Sequence, residues 1–175
     1  MDLKLGGKTA LITGASMGIG EHLAETFAAE GVHLHLTARS TDKLEALKAR
    51  IAETSDVSVT LHPLDLTAEG AVEQLDAAIG HVDILINNAG VGITGPLEEI
   101  PTNEMKRNFE TNLFGPINMI NAVLPSMRLQ HSGLILNITS IAGYMGLPFR
   151  GIYSASKGAL ELITESYRME LKSFN

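Results

Sequence analysis

Five short apolar runs, each but the last followed directly by a stretch of helical periodicity, limit what this chain can fold into. The runs cover residues 8–13 (KTALIT), 32–38, 57–65, 82–90 and 133–140. Between them, residues 19–31, 41–54, 70–80 and 103–128 carry apolar side chains at steps of three and four, and a last helix is predicted over 153–172. Strand, helix, strand at this spacing means βαβ units and a parallel sheet, with right-handed crossovers putting helices on both faces. The expectation is one α/β domain over residues 1–175, a three-layer doubly wound parallel sheet. Local details follow the same logic. Ile19, Leu23 and Phe27 should share the buried face of the first helix, with Gly31 as its terminator. Thr41 or Asp42 should cap the second. Pro116 should kink the long helix or mark an irregularity in it.

Composition excludes several function classes. The formal net charge of -7 disfavours a broad electrostatic grip on nucleic acid or an anionic membrane. With no cysteine, disulfides, thiolate metal sites and thiol nucleophiles are excluded together. The histidines (22, 33, 35, 62, 81 and 131) offer no third ligand at convincing spacing beside His33 and His35, so no metal is expected. No apolar run approaches the length of a membrane span, and the N-terminal stretch MDLKLGGKTALITG lacks a secretory-signal pattern. A cytoplasmic location is the expectation. Asn137-Ile138-Thr139 matches a glycosylation sequon but sits in the apolar run LILNITS, which reads as a buried strand. There is no G-x-S-x-G elbow of a serine hydrolase.

The first strand runs into TGASMGIG, residues 13–20, and the first helix opens there. Glycines at 14, 18 and 20 permit a tight turn and close approach of backbone to a ligand. The helix start then offers free N–H groups and a positive dipole end to a pyrophosphate. No Lys-Ser or Lys-Thr follows Gly18, so this is not a Walker A loop. At the end of the second strand, the acidic residue that usually holds NAD ribose hydroxyls is missing, since positions 36–38 are Leu, Thr and Ala. Arg39 stands there instead, and its guanidinium suits a ribose phosphate, with Ser40 and Thr41 adding hydroxyl donors. Further on, Tyr153 and Lys157 are spaced i, i+4 and share one helix face. A lysine ammonium beside a phenol favours the phenolate, which equips the tyrosine for acid–base work near neutral pH.

These motifs, together with others in the same order, resemble the short-chain dehydrogenase/reductase family in its single-domain Rossmann branch, from about Lys8 to the last residue. The cofactor loop is Thr13-Gly14-x-x-x-Gly18-Ile19-Gly20, with Ser16 and Met17 inside it. Asp65-Leu66 matches the family's adenine-side pair, and Asn87-Asn88-Ala89-Gly90 its Asn-Asn-Ala-Gly motif. Asn112, Ser140, Tyr153 and Lys157 match its catalytic tetrad. The resemblance implies strand order 3-2-1-4-5 and a hydride-transferring oxidoreductase. It implies that Asp65 meets the adenine edge and that Asn88, Ala89 and Gly90 line the ribose side. It also implies that Ser140 and Tyr153 address the substrate oxygen, that Asn112 helps hold a water linked to Lys157, and that Tyr153 and Lys157 also meet the cofactor, Lys157 through the nicotinamide ribose hydroxyls.

NADP(H) is the expected cofactor, with NAD(H) as the alternative. Neither Ser16 nor Met17 is the basic residue found in the loop of many NADP(H) enzymes, so the phosphate rests largely on Arg39. The substrate class is a carbonyl or alcohol, and Met145, Leu147, Pro148 and Phe149 suggest an apolar pocket wall. An oxoacyl-carrier-protein reductase is a further option within the class. The resemblance implies a homodimer or homotetramer through the long helix and the last one. Family domains usually continue into a sixth and seventh strand with a substrate loop between, whereas this sequence stops at ELKSFN. The domain is therefore expected to be incomplete at its C-terminal side, its fifth strand an exposed apolar edge and its own turnover low. The competing reading is a non-catalytic NADP-binding or interaction module.

Overall fold

Burial on both faces of the central strands, almost throughout Thr9–Thr13 and Ile84–Asn87, sets the sheet in the middle of the molecule. The structure, a computed structural model, describes residues 3–174. Its strands are β1 (Thr9–Thr13), β2 (His33–Ala38), β3 (Val59–Pro63), β4 (Ile84–Asn87) and β5 (Leu134–Asn137). Its helices are α1 (Gly18–Ala29), α2 (Thr41–Thr54), α3 (Ala71–Ile79), α4 (Thr102–Phe109), α5 (Gly115–Gln130) and α6 (Gly151–Glu170). The strands form one parallel sheet in the order β3-β2-β1-β4-β5, as expected. Because successive side chains in a strand point to opposite faces, Ala10 and Ile12 face one way with Leu34, Leu36, Ile84 and Ile86, against α1 and α2. Leu11 and Leu85 face the other way, against α3 and α5. No helix among the described residues is long and apolar enough to cross a membrane.

The first helix buries a different face from the one expected. Gly20, Ala24 and Ala28 are its buried residues, while Ile19 is 59% exposed and Leu23 and Phe27 only flank the core. Small side chains let the helix axis sit close to the sheet, and the larger ones seal its sides. Gly31, at φ 78°, does end it. The Gly31 N–H bonds to the Ala28 carbonyl and the Val32 N–H to that of Phe27, a Schellman closure. The cap position of α2 is Ser40, one residue before the expected Thr41 or Asp42, and no side chain bonds there. Asp42 instead lies in the first turn, where its charge favours the helix dipole.

The long helical run is continuous but irregular. Between α4 and α5, residues Glu110–Phe114 form a π-helical turn in which the Gly115 N–H reaches the Glu110 carbonyl. Pro116 follows and has no N–H, so Asn112, four residues earlier, has no i+4 donor for its carbonyl. The irregularity expected at Pro116 therefore falls in the turn just before it. At the other side of the sheet, β5 pairs only with β4 among the described residues, and Leu134 and Leu136 are 53% and 41% exposed. The expected apolar edge is present.

Candidate active site

The strand registers line up one polar side chain per strand where the sheet ends. Thr13 of β1 pairs with Thr37 of β2, which pairs with His62 of β3. Asn87 of β4 pairs with Asn137 of β5, and the Ile12–Ile86 pairing brings Thr13 beside Asn87. The rung is stitched by the Asn87 amide donating to Asn137 Oδ1 at 2.9 Å and the Asn137 amide donating to Thr164 Oγ1 on α6 at 2.8 Å. The sequon asparagine is thus part of the scaffold. A cleft of about 460 Å³ opens beside this rung, lined by Thr13, Thr37 and Asn87 among others. Thr37 Oγ1 and Asn87 Oδ1 are buried in that lining without a partner among the described residues. Buried polar groups normally find partners, so these two suit a polar ligand.

The glycine loop forms one wall. Gly14 and Gly18 adopt φ of 66° and 61°, which a side chain rarely tolerates. A Cβ on Gly14 would lie 2.8 Å from the Ala89 Cα, and one on Gly20 would collide with the Asn88 amide. Asn88 explains this closeness. Its Nδ2 donates to the carbonyls of Thr13 and Gly14 at 3.0 Å each, so its side chain holds the loop and its backbone faces the cleft. Thr13 Oγ1 completes the lock by accepting the N–H groups of Asn88 and Ala89 at 3.0 Å each. No side chain caps α1, whose N-cap is Met17. Uncapped N–H groups beside a glycine turn fit a pyrophosphate. Gly14, Ser16, Met17, Ile19, Ala89 and Gly90 line the cleft, whereas Gly18 and Gly20 shape the turn and the helix seat.

Arg39, Ser40, Asp65 and Leu66 line the far end. Arg39 and Asp65 form an exposed ion pair at 4.0 Å. Asp65 Oδ1 also accepts the Thr67 N–H and hydroxyl at 3.0 and 2.7 Å. Those two bonds, more than the nearby Arg39 and Arg107, hold its carboxyl below the usual range.

Asn112 and Lys157 meet beside Gly90. Lys157 is 4% exposed, and its Nζ donates to the Ile138 carbonyl at 2.7 Å. Desolvation lowers its pKa. A Cβ on Gly90 would lie 3.5 Å from Lys157 Nζ and 3.3 Å from Asn112 Oδ1, so this glycine opens the cleft to both. Both polar atoms of the Asn112 side chain have partners in the fold. Its Oδ1 accepts the Val91 N–H at 2.8 Å, and its Nδ2 donates to the Val91 carbonyl and to Ser156 Oγ at 2.9 and 3.1 Å. What remains for a water is the second lone pair of Oδ1 and the main-chain carbonyl, which lacks an i+4 donor. Tyr153 sits half-buried in the first turn of α6, on the face it shares with Lys157. Ser140 Oγ accepts the Ala142 N–H at 3.2 Å, which leaves its hydroxyl hydrogen to donate elsewhere.

Several residues of this architecture escaped the sequence reading. Asn108 and Ser156, both buried, anchor Asn112 from α4 and α6, and Lys43 and Arg107 add cations to the cleft. The i, i+4 spacing of Asn108 and Asn112 was the available signal for Asn108. His35 and His62 pair with each other at 2.8 Å, and no cluster of three metal-ligating residues exists among the described residues.

Comparison with known proteins agrees with this geometry. The short chain dehydrogenase family model matches residues 8–175. Human retinol dehydrogenase 8 is 39% identical over 172 residues, covering 96% of this chain and 55% of that protein. The 3-ketodihydrosphingosine reductase of Bacteroides thetaiotaomicron is 38% identical over 166 residues, covering 94% and 59%. The structure of L-sorbose reductase from Gluconobacter frateurii, complexed with NADPH and L-sorbose, superimposes with a TM-score of 0.95 at 31% identity, covering 100% of this chain and 68% of that one. The chain thus spans somewhat more than half the length of these two curated relatives. With the glycine loop and the Asn-Asn-Ala-Gly corner lining one cleft, and the family model matching residues 8–175, the chain belongs to the short-chain dehydrogenase family.

Proposed function

We propose that this chain is the nucleotide-binding and catalytic part of an oxidoreductase that interconverts a carbonyl and an alcohol with NADP(H). The observation that carries the reading is Lys157. Its amine is buried beside Asn112 and behind Gly90, which lines a cleft of nucleotide size, and it stands one helical turn from Tyr153. When bound, a nicotinamide cofactor supplies or takes the hydride at the substrate carbon. The chain's residues do the rest. Tyr153 Oη delivers a proton to the carbonyl oxygen in reduction and removes it in oxidation. The Ser140 hydroxyl donates to the same oxygen, so two donors stabilise the developing charge. Lys157 Nζ supplies positive charge near the phenol and a donor to the ribose hydroxyls, and Asn112 fixes the corner that holds both elements.

An apolar substrate suits the rim. Leu97, Tyr144, Met145 and Phe149 are exposed apolar side chains on the loops after β4 and β5. The Gly95 N–H bonds to the Phe149 carbonyl at 2.9 Å and ties these loops together. The names of the two curated relatives specify retinol and 3-ketodihydrosphingosine, both lipids. Arg39 favours NADP(H) over NAD(H). The test is NADPH oxidation with a panel of aliphatic and aromatic ketones and aldehydes, run on the protein and on Y153F. Turnover lost in Y153F supports the reading, and turnover untouched by it refutes the role of Tyr153.

One observation favours a second reading. Among the described residues β5 has an unpaired edge, and it flanks an apolar groove lined by Leu124, Met127, Ile135, Tyr167 and Leu171. In this reading the chain acts as a cofactor-binding or interaction module, with a partner on that edge. Tight NADPH binding without turnover on any carbonyl selects this alternative.

A further inference from the structure

We infer that Arg107, on α4, reads the phosphate on the adenosine ribose from the side of the cleft opposite Arg39 and so determines specificity for NADP(H). This rests on the cofactor reading above. The charged residues in the cleft lining are Arg39, Lys43, Asp65 and Arg107, three cations against one carboxylate. The chain as a whole carries -7, so this local excess of positive charge runs against the protein's balance. It is also built from two separate elements. Arg39 precedes α2 and Lys43 lies in its first turn, whereas Arg107 comes from near the end of α4.

Asp65 is the one carboxylate of that lining. Its Oδ2 lies 4.0 Å from Arg39, and its carboxylate feels the fields of both Arg39 and Arg107. Its other oxygen is taken by Thr67, so it cannot turn away. Among the described residues Asp65 pairs with Arg39 alone and neutralises at most one of the three cations in the lining. Arg107 is otherwise held loosely, 3.7 Å from Glu104 on its own helix, with a side chain 63% exposed. A phosphate monoester, carrying more than one negative charge near neutral pH, compensates what Asp65 leaves over. A ribose with a bare 2′-hydroxyl does not. Guanidinium groups from two sides also fit a tetrahedral phosphate better than one can.

The test uses ligands that occupy only the adenosine end. Adenosine 2′,5′-bisphosphate and 5′-AMP are titrated calorimetrically into the wild-type chain, R39Q, R107Q and R107K. R107Q is expected to weaken the bisphosphate about three- to tenfold, the scale of a partly exposed charge contact. 5′-AMP should change by less than about twofold, and R107K should recover part of the loss, since charge without the fork restores attraction alone. The inference is overturned if R39Q weakens the bisphosphate selectively and R107Q does not. Equal weakening of both ligands in R107Q also overturns it, by assigning Arg107 to the adenine ring. If neither R39Q nor R107Q affects the bisphosphate selectively, the NADP(H) preference itself fails along with this inference.

Discussion

Gly143 and Gly158 approach so closely that a Cβ on Gly158 would lie 2.8 Å from the Gly143 carbonyl oxygen. A Cβ on Gly143 would in turn lie 3.1 Å from the Gly158 nitrogen and 3.2 Å from the Lys157 carbonyl oxygen. This contact seats the turn carrying Ser140 against α6 at the level of Lys157. G158A should therefore cost about 1–3 kcal/mol of stability by overpacking. It should also lower turnover more than NADPH affinity, because the glycine loop and cleft floor are remote from it. Urea unfolding beside turnover and calorimetric titration would show this. An unchanged midpoint with full activity would mean the turn is seated by something else.

Y153F and K157A should separate proton delivery from cofactor contact. Y153F keeps the ring and its packing and removes the proton donor, so turnover should fall about 10²- to 10⁴-fold with NADPH affinity held. K157A should lose comparable activity and cofactor affinity as well. It also removes the donor to the Ile138 carbonyl, so its stability must be measured alongside. Near-normal turnover in Y153F would make Tyr153 a packing residue.

The His35–His62 pair should make the fold acid-sensitive. Burial lowers the pKa of both rings, and the neighbouring His35 charge lowers His62 further. A folded-state value below the ordinary one, near 6.5, means that the unfolded chain takes up protons first. Stability from this pair is then complete above about pH 6.5 and is lost as pH falls through the folded values. Urea midpoints at descending pH should drop faster in the wild type than in H62Q. Parallel profiles would remove the pair from the pH response.

Self-association through α4–α5 and α6 is the expected assembly, and both helices extend over surface that includes the exposed Phe114 and Leu162. Light scattering at high micromolar concentration should give a dimer or tetramer. A monomer there would exclude this interface.

What the sequence alone determined is what nearest neighbours along the chain determine. Apolar runs and helical steps gave five strands and the helices between them, and the helix over 41–54 has the bounds that its pattern required. The i, i+4 spacing of Tyr153 and Lys157 was legible for the same reason. Tertiary structure decided whatever depends on how elements sit against one another. Which face α1 buries depended on close approach to the sheet, which favoured Gly20, Ala24 and Ala28 over the bulkier Ile19. The polar rung from His62 to Asn137 exists only through the strand registers. Asn112 and Asn88 became braces because their amides met backbone more than twenty or seventy residues away. Arg107 joined the cleft only when α4 folded across it. Spacing encodes contacts within one element, whereas contacts between elements follow from packing, which no local pattern contains.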